Sequence, residues 1–411
     1  MSTGIETRVP RILILDGAMG TMIQKYSPVQ DGNNDRLNLD APEVIARIHT
    51  EYIEAGADII ETNTFSSNRI SQNGLGLGDK AREMAYRGAE IARRSADEYV
   101  RRHPGRKIYV AGSVGPTSKS LSLSPDVDNP AYRPCSFDEM TAAYREQIEA
   151  LARGGVDAIL IETCFDALNV KAALYAMAEL FPAKDFPAMV SVSVGDRSGR
   201  TLTGQTLEAF YTSVRHYPLL SFGLNCSLGA EGLAPLLREV ASFAECAVSC
   251  YPNAGLPNEL GKYDESPEKM AADMKAMAAG GLLNIAGGCC GTTPEHIRAI
   301  AEALKDIAPR KIPGTRHGQL KVSGLETVTV KAGNTFTNIG ERTNVAGSRK
   351  FARLIAGKEY EAALGVAEGQ IENGASIIDI NLDDAMLDST HEMTVFTRWI
   401  SNDPAVARAA L

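Results

Sequence analysis

The cysteines are the residues of this chain whose type and spacing most clearly point to chemistry. Cys289 and Cys290 are adjacent, and Cys226 lies in a separate upstream segment. A single free cysteine is usually a small buried hydrophobe, but an adjacent pair fits that explanation badly. Zn²⁺ prefers thiolate ligands, and a catalytic zinc site has three protein ligands and one open position. These three cysteines therefore predict a zinc site at which a substrate thiol can be the fourth ligand.

Two other interpretations of the cysteines remain open at this point. The three thiols could be buried packing residues, or they could belong to a closed structural zinc site with Cys250 as fourth ligand. Cys135, Cys164 and Cys246 are interpreted as packing residues. The total of seven cysteines is odd, and no secretory signal is visible, which argues against a disulfide framework.

The expected chemistry of a three-thiolate zinc site concerns sulfur. Three thiolates around Zn²⁺ leave a net charge of about −1, so the metal is a weak Lewis acid but can still hold a fourth thiolate. A coordinated thiol loses its proton, whereas a free thiol with a pKa of about 8.5 is mostly protonated at neutral pH. Such a site produces a sulfur nucleophile without a general base.

Short apolar runs and helical patterns alternate eight times before residue 307. The strand candidates are Ile12–Leu15, Asp58–Thr62, Ile108–Ala111, Ala158–Glu162, Met189–Val194, Phe222–Asn225, Ala247–Cys250 and Leu282–Ala286. The helical patterns lie near 43–55, 80–101, 138–153, 167–180, 205–215, 231–244, 267–279 and 294–306. This alternation predicts an α/β fold, a (β/α)8 TIM barrel, rather than an open doubly wound sheet, because no Rossmann fingerprint appears. Active sites of such barrels lie at the C-terminal ends of the strands.

Polar residues at these strand ends are candidates for substrate recognition. Asp16 and Glu162 follow or end the first and fourth strands and are suited to binding an ammonium group. Gly17 begins a glycine-rich turn whose backbone N–H groups can bind a carboxylate. The alternative is that Asp16 only caps a turn, which is a common use of Asp-Gly. The segment Gly112–Thr117 is expected to shape the same mouth.

Four segments resemble the motifs of the zinc-dependent homocysteine S-methyltransferase family. They are Asp16–Thr21, Glu61–Phe65, Gly223–Cys226 and Gly288–Gly291. The last two read Gly-Leu-Asn-Cys and Gly-Cys-Cys-Gly and are the most specific of the four. The resemblance covers about residues 10–306.

This resemblance implies a role for each candidate residue of the barrel. Cys226, Cys289 and Cys290 would be the catalytic zinc ligands, with the sulfur of homocysteine in the open position. Asp16 and Glu162 would bind the ammonium group of homocysteine. The implied activity is that of a methyltransferase that converts homocysteine to methionine.

A second unit follows a proline- and glycine-rich break. The zinc- and homocysteine-binding barrel is predicted to cover residues 1–306, and residues 307–332 are predicted to be a linker. Within 333–411, the segments 337–344 and 378–383 resemble the opening of the pterin-binding barrel of cobalamin-dependent methionine synthases.

The second resemblance implies a methyl donor and three pterin contacts. Glu341, Asp379 and Asn381 would lie at strand ends near the pterin. The methyl donor would be methylcobalamin, carried by a domain or protein that is absent from this chain and recharged from 5-methyltetrahydrofolate. Two alternatives stay open: a homocysteine methyltransferase with a sulfonium or betaine donor, and a zinc- or thiol-binding barrel without turnover.

The second barrel is expected to be incomplete. A barrel of eight βα units takes about 250 residues, and only about 80 follow the predicted linker. We therefore expect 333–411 to be a truncated, loosely packed unit that binds methyltetrahydrofolate poorly. The apolar residues Phe351, Leu354 and Ile355 would have little sheet to cover.

Charge and composition exclude some partners. The formal net charge is −9, which argues against a nucleic-acid binder and against an anionic membrane surface as partner. No apolar run approaches the roughly 20 residues of a membrane helix, and the N-terminus lacks the apolar region of a signal peptide. The sequence therefore predicts a cytoplasmic protein.

Overall fold

The computed structural model describes residues 5, 10–27, 32–259, 261–314, 318–333 and 336–411. Its strands are β1 (Leu13–Ile14), β2 (Ile59–Glu61), β3 (Tyr109–Val114), β4 (Ala158–Cys164), β5 (Ala188–Val192), β6 (Leu219–Gly229), β7 (Ala247–Asn253), β8 (Ile285–Ala286), β9 (Gln319–Ser323), β10 (Thr327–Lys331), β11 (Ile339–Asn344) and β12 (Ile377–Asn381). Its α-helices are α1 (Met19–Tyr26), α2 (Leu37–Asp40), α3 (Pro42–Glu54), α4 (Arg69–Asn73), α5 (Ala81–Arg102), α6 (Phe137–Arg153), α7 (Ala167–Leu180), α8 (Leu207–Val214), α9 (Ala230–Phe243), α10 (Pro267–Ala279), α11 (Pro294–Leu304), α12 (Arg349–Ala356), α13 (Tyr360–Glu372), α14 (Ser389–Asn402) and α15 (Pro404–Ala407). No helix in this described part of the chain is long and apolar enough to cross a lipid bilayer.

Strands β1 to β8 form one parallel sheet in sequential order, with β1 beside β8. A parallel bridge between Leu15 and Ile59 joins β1 to β2 and closes the circle. The predicted (β/α)8 barrel is therefore confirmed. Each predicted strand lies where a strand is found, and most ends differ by one to four residues, as is usual for strand boundaries read from sequence.

Alternation along the strands divides the apolar residues between two cores. Leu13 and Leu15 belong to the cluster that fills the barrel, whereas Ile12 and Ile14 belong to the cluster between the strands and the helices. Successive side chains of a strand point to opposite faces, and a barrel of eight strands fills its interior with side chains. Each such fully buried aliphatic side chain contributes about 1.5–3 kcal/mol.

Side-chain caps mark the starts of two of the outer helices. The hydroxyl of Ser136 accepts a bond from the backbone N–H of Glu139, whose carboxylate accepts one from the N–H of Ser136, so α6 begins with a capping box. Thr293 caps α11 directly before Pro294. These caps help to determine where the loops at the C-terminal mouth end and the outer helices begin.

The predicted linker contains an antiparallel hairpin, β9–β10, which the sequence analysis did not foresee. The backbone N–H of Thr206 donates to the carbonyl of Leu325 (2.9 Å), and the N–H of Leu325 donates to the carbonyl of Ala407 (2.7 Å). Lys321 forms an ion pair with Glu208 at the start of α8 (2.6 Å). The hairpin thus connects the barrel to the C-terminal segment.

The C-terminal residues form a small unit in which β11 and β12 pair in parallel. Phe351, Leu354 and Ile355 are buried in one apolar cluster with Phe396 and Ile400 of α14. The rings of Phe351 and Phe396 are 5.2 Å apart, centroid to centroid. The sheet under these residues has only two strands, as expected, but the expected loose packing is wrong for them, because side chains of α14 cover them. Poor methyltetrahydrofolate binding stays a prediction.

Candidate metal and substrate site

The structure brings Cys226, Cys289 and Cys290 together at the C-terminal mouth of the barrel. Their three Sγ atoms all lie within 4.8 Å of one another. The Sγ of Cys290 is 4.0 Å from the Sγ of Cys226 and 4.0 Å from that of Cys289. Strand β6 is two strands away from β8 in the sheet, so the irregular backbone at both places is what allows the thiols to meet.

The backbone at Cys226 is in the left-handed region, with φ of 60°, and Ser227 follows with φ of 61°. The pairing of β6 with β7 shifts register between Asn225 and Gly229. A non-glycine residue in this conformation costs on the order of 1–3 kcal/mol and is common at functional sites. Because of this backbone conformation, the side chain of Cys226 does not follow the alternating directions of the other side chains along the strand.

Hydrogen bonds to β7 hold the backbone around the adjacent cysteines. The N–H of Cys289 donates to the carbonyl of Pro252 (2.7 Å), and the carbonyl of Cys290 accepts from the N–H of Ala254 (2.9 Å). Two glycines flank the adjacent cysteines, and Gly291 has a φ of +81°, a conformation that favours glycine. Gly288 instead provides room, because a Cβ there would lie 2.6 Å from Thr292.

Hydrogen bonds within the cysteine cluster shift the pKa values of its members in opposite directions. Hydrogen bonds from Cys289 and Cys290 lower the pKa of Cys226, while the pKa of Cys289 is raised well above its usual value by its bonds to the other two cysteines. The side chain of Asn253 also stabilises the Cys226 thiolate. Its amide oxygen is buried and has no hydrogen-bond partner among the described residues. Three clustered sulfurs are a donor set that fits a zinc ion with one position open to a further ligand.

Cys250 does not belong to this group. It is buried in the core between strands and helices, and burial raises its pKa to about 12. Within the described chain, the cluster of potential metal ligands contains only the three predicted cysteines. The structure therefore does not support a closed site with Cys250 as fourth ligand. Cys135 and Cys164 are buried elsewhere in the core, as predicted.

Four carboxylates line the same cavity, which has a volume of about 440 Å³: Asp35 and a group of three that act on one another, Asp16, Glu61 and Glu162. Asp16 accepts a bond from the backbone N–H of Glu61 (3.1 Å), and Glu162 accepts one from the hydroxyl of Ser113. One oxygen of Asp16 and one of Glu61 are buried without a partner in the described structure. Burial raises the pKa of all three, that of Glu162 to about 7.

The electrostatics of this cavity favour a cationic ligand group. Among the described residues, its lining contains no lysine, arginine or histidine. Mutual repulsion adds to burial in raising the pKa of Glu61, since Glu162 and Asp16 both act on it. An ammonium group would supply the missing charge and the missing hydrogen-bond donors at once.

The sequence singled out Asp16 and Glu162 but gave no individual role to Glu61 or Asn225, and it placed Ser113 only within a segment expected to shape the mouth. The amide oxygen of Asn225 accepts from the N–H of Thr163 (3.1 Å) and from a serine of β5 (2.7 Å). Its NH₂ group lies 3.9 Å from the Sγ of Cys289. Asn225 thus joins β4, β5 and the cysteine loop, and its place directly before Cys226 was the only sequence signal of this role.

Gly17 lies where no side chain fits. A Cβ on Gly17 would be 2.8 Å from the hydroxyl oxygen of Thr292 and 2.9 Å from the ring of Tyr52. Its backbone N–H has no hydrogen-bond partner in the described part of the chain, whereas the next N–H, of Ala18, donates to the Thr292 hydroxyl (3.1 Å). The turn can therefore still offer a donor to a ligand.

We expect Gly17→Ala to destabilise the protein by about 1–3 kcal/mol, because overpacking of a filled site costs that much. The free energy of unfolding from denaturant titration measures it. Gly314→Ala is the matched control, since a Cβ there meets no atom within 4 Å. Equal stability of the two variants would show that the turn at Gly17 moves freely.

The predicted pterin residues lie in the small C-terminal sheet. Glu341 is on β11, and Asp379 and Asn381 are on the neighbouring β12. Glu341 and Asp379 are exposed, and the side chain of Asn381 accepts a bond from the N–H of Asp383 (2.9 Å). The structure brings the three residues onto one sheet, and their pterin contact stays a prediction.

The fold and the site define a parallel (β/α)8 barrel that carries three clustered thiols and a group of carboxylates at its C-terminal mouth. Residues 13–304 match the homocysteine S-methyltransferase family. The chain therefore belongs to this family. Residues 340–409 match the family described as pterin binding enzyme.

Solved structures support the same assignment of the barrel. The homocysteine methyltransferase MmuM from Escherichia coli, in an oxidised form, is 24% identical over 71% of this chain and 95% of that chain, with a TM-score of 0.60. A metallated form of MmuM is 25% identical over 71% of this chain and 96% of that chain, with a TM-score of 0.55. The similarity thus extends over nearly the whole of MmuM.

Proposed function

We propose that this chain activates homocysteine as a thiolate on zinc for methylation to methionine. The observation that carries the proposal is the shared cavity: three Sγ atoms lie within 4.8 Å of one another, and the carboxylates of Asp16, Glu61 and Glu162 line the same space. Homocysteine carries both groups that this cavity lacks, a thiol for a metal and an ammonium for the carboxylates. Membership in the homocysteine S-methyltransferase family supports the same substrate.

Cys226, Cys289 and Cys290 would hold the zinc ion. Zn²⁺, when bound, lowers the pKa of a coordinated thiol and keeps it as a thiolate at neutral pH. The remaining role of the chain is to orient the substrate. Asp16 and Glu162 accept hydrogen bonds from its ammonium group, and the N–H of Gly17 donates to its carboxylate.

We propose methylcobalamin as the methyl donor, carried by a domain or protein outside this chain and recharged from 5-methyltetrahydrofolate. The match of residues 340–409 to pterin binding enzymes supports a folate at the second unit. Glu341, Asp379 and Asn381 are the proposed pterin contacts.

A second candidate uses a sulfonium or betaine donor directly. The barrel alone matches nearly the whole of MmuM, so a homocysteine methyltransferase does not require the C-terminal unit. A barrel that binds zinc and thiols without turnover is the remaining alternative.

A donor competition distinguishes these functions. The zinc-loaded chain is incubated with homocysteine and either methyl-labelled methylcobalamin, a methylsulfonium compound or betaine. We expect labelled methionine from methylcobalamin only. Label transfer from an onium compound instead would establish the second candidate, and homocysteine binding without any labelled methionine would establish the third.

A further inference from the structure

A groove on the outer wall of the barrel combines basic groups with aromatic and aliphatic side chains. It runs along α7 and has a volume of about 400 Å³, within the usual range of small-molecule sites. Its apolar part is formed by Phe137, Leu174, Tyr175 and Ala178. The rings of Phe137 and Tyr175 meet edge to face, 6.0 Å between centroids.

The basic part of the groove consists of Lys171, Lys184 and His216. Lys171 is half-buried, and within the described residues its ammonium has no hydrogen-bond or ion-pair partner. Burial lowers the pKa of Lys171 and of His216, and for His216 both lysines lower it further. Both lysines therefore act on His216, and no carboxylate is among the residues that line the groove.

The charged residues that line the groove are all basic, although the chain carries a net charge of −9. Lys321, whose side chain is only 11% exposed, has the carboxylate of Glu208 at 2.6 Å. A partly buried ammonium without such a partner is unfavourable, and a ligand anion would relieve that cost.

Tyr217 supplies a second, independent sign of a missing ligand group. Its side chain is 1% exposed and lines the groove, and its hydroxyl has no hydrogen-bond partner in the described structure. Lys184 lies over its ring, 5.8 Å from the centroid. Burial and the nearby carboxylate of Asp185 raise the pKa of Tyr217, so the hydroxyl remains a donor at neutral pH.

The side chain of His216 is already oriented so that its Nε2 can become a donor to an anion. Its Nδ1 lies 3.1 Å from the carbonyl oxygen of Ser213, which places a proton on Nδ1. Protonation of Nε2 on arrival of an anion would turn the free side of the ring into a second charged donor.

We propose that this groove binds a small organic anion, an aromatic body that carries one phosphate or carboxylate group. The anionic group accepts hydrogen bonds from Lys171, Tyr217 and protonated His216. The ring packs against Leu174, Tyr175 and Phe137. The site is separate from the cysteine cavity, because none of its residues lines that cavity.

Phenyl phosphate, benzoate and inorganic phosphate are the probes, titrated into the zinc-loaded chain by calorimetry. We expect phenyl phosphate or benzoate to bind with a dissociation constant of about 1 mM or tighter, and inorganic phosphate to bind at least about tenfold more weakly. Lys171→Met should lower the affinity for the aromatic anion at least about tenfold. Lys171→Arg should retain most of the affinity.

The matched control is Lys275→Met, an exposed lysine of α10, which should change nothing. Zinc content and homocysteine affinity should be equal in all these variants. Absence of binding up to about 10 mM, equal affinity of Lys171→Met and the unmodified chain, or equal affinity for inorganic phosphate would each overturn the proposal.

Discussion

Replacing Cys226, Cys289 or Cys290 with serine is expected to reduce bound zinc from about one ion per chain to a small fraction and to abolish methylation of homocysteine. The serine hydroxyl keeps its proton at neutral pH and is a poor zinc ligand. Loss of a residue that merely orients a metal ligand costs about 10–100-fold in affinity or activity, so loss of a ligand should exceed about 100-fold. Metal analysis of the purified variants and a radiolabel assay measure the two effects.

Cys135→Ser and Cys246→Ser are the matched controls for this experiment. Cys135 is buried in the core, and Cys246 is packed against it, away from the mouth of the barrel. Both variants should retain zinc and activity. If a serine at any of the three proposed ligand positions left zinc and activity intact, the metal site would lie elsewhere.

Glu162→Gln and Asp16→Asn are each expected to lower the affinity for homocysteine roughly tenfold to a hundredfold without loss of zinc. A charge-assisted hydrogen bond contributes about 1.5–3 kcal/mol, which corresponds to that range of affinity. In Glu162→Gln the new side-chain amide can still pair with the hydroxyl of Ser113, so the change removes the charge and little of the packing. Homocysteine affinity from calorimetry and zinc content from metal analysis separate the two roles.

A substrate analogue sharpens the test of the ammonium contact. 4-Mercaptobutyrate has the thiol and the carboxylate of homocysteine but no ammonium group. The unmodified chain should prefer homocysteine strongly, and Glu162→Gln should lose most of that preference. Glu302→Gln, an exposed carboxylate of α11 with 70% of its side chain accessible, is the control. Loss of zinc in Asp16→Asn would show that Asp16 is structural rather than a contact of the substrate.

Most of the barrel could be predicted from sequence, and the second unit much less. Eight alternating apolar runs are a repeated local signal, so the strands were found even where their ends were wrong, as at β6. The hairpin β9–β10 was missed because its residues are half-exposed and lie among glycines and prolines typical of a linker. The cover of Phe351 by Phe396 was missed because it depends on packing between helices that are far apart in the sequence.

By itself, the sequence determined the barrel and the chemical identity of its candidate ligands. Periodicity of apolar residues and the types of the strand-end residues are local properties, and they placed Cys226, Cys289 and Asp16 at one end of the barrel. They did not determine the environment of those groups.

Only the tertiary structure decided which groups lack partners. The free oxygens of Asp16 and Glu61, the isolation of Cys250 in the core, and the unpaired ammonium of Lys171 within the described chain depend on residues far away in the sequence. The strained φ of Cys226 likewise lies where the pairing of β6 with β7 shifts register. Whether a polar group is satisfied is decided by every element that packs around it, and that information is absent from any single segment of the chain.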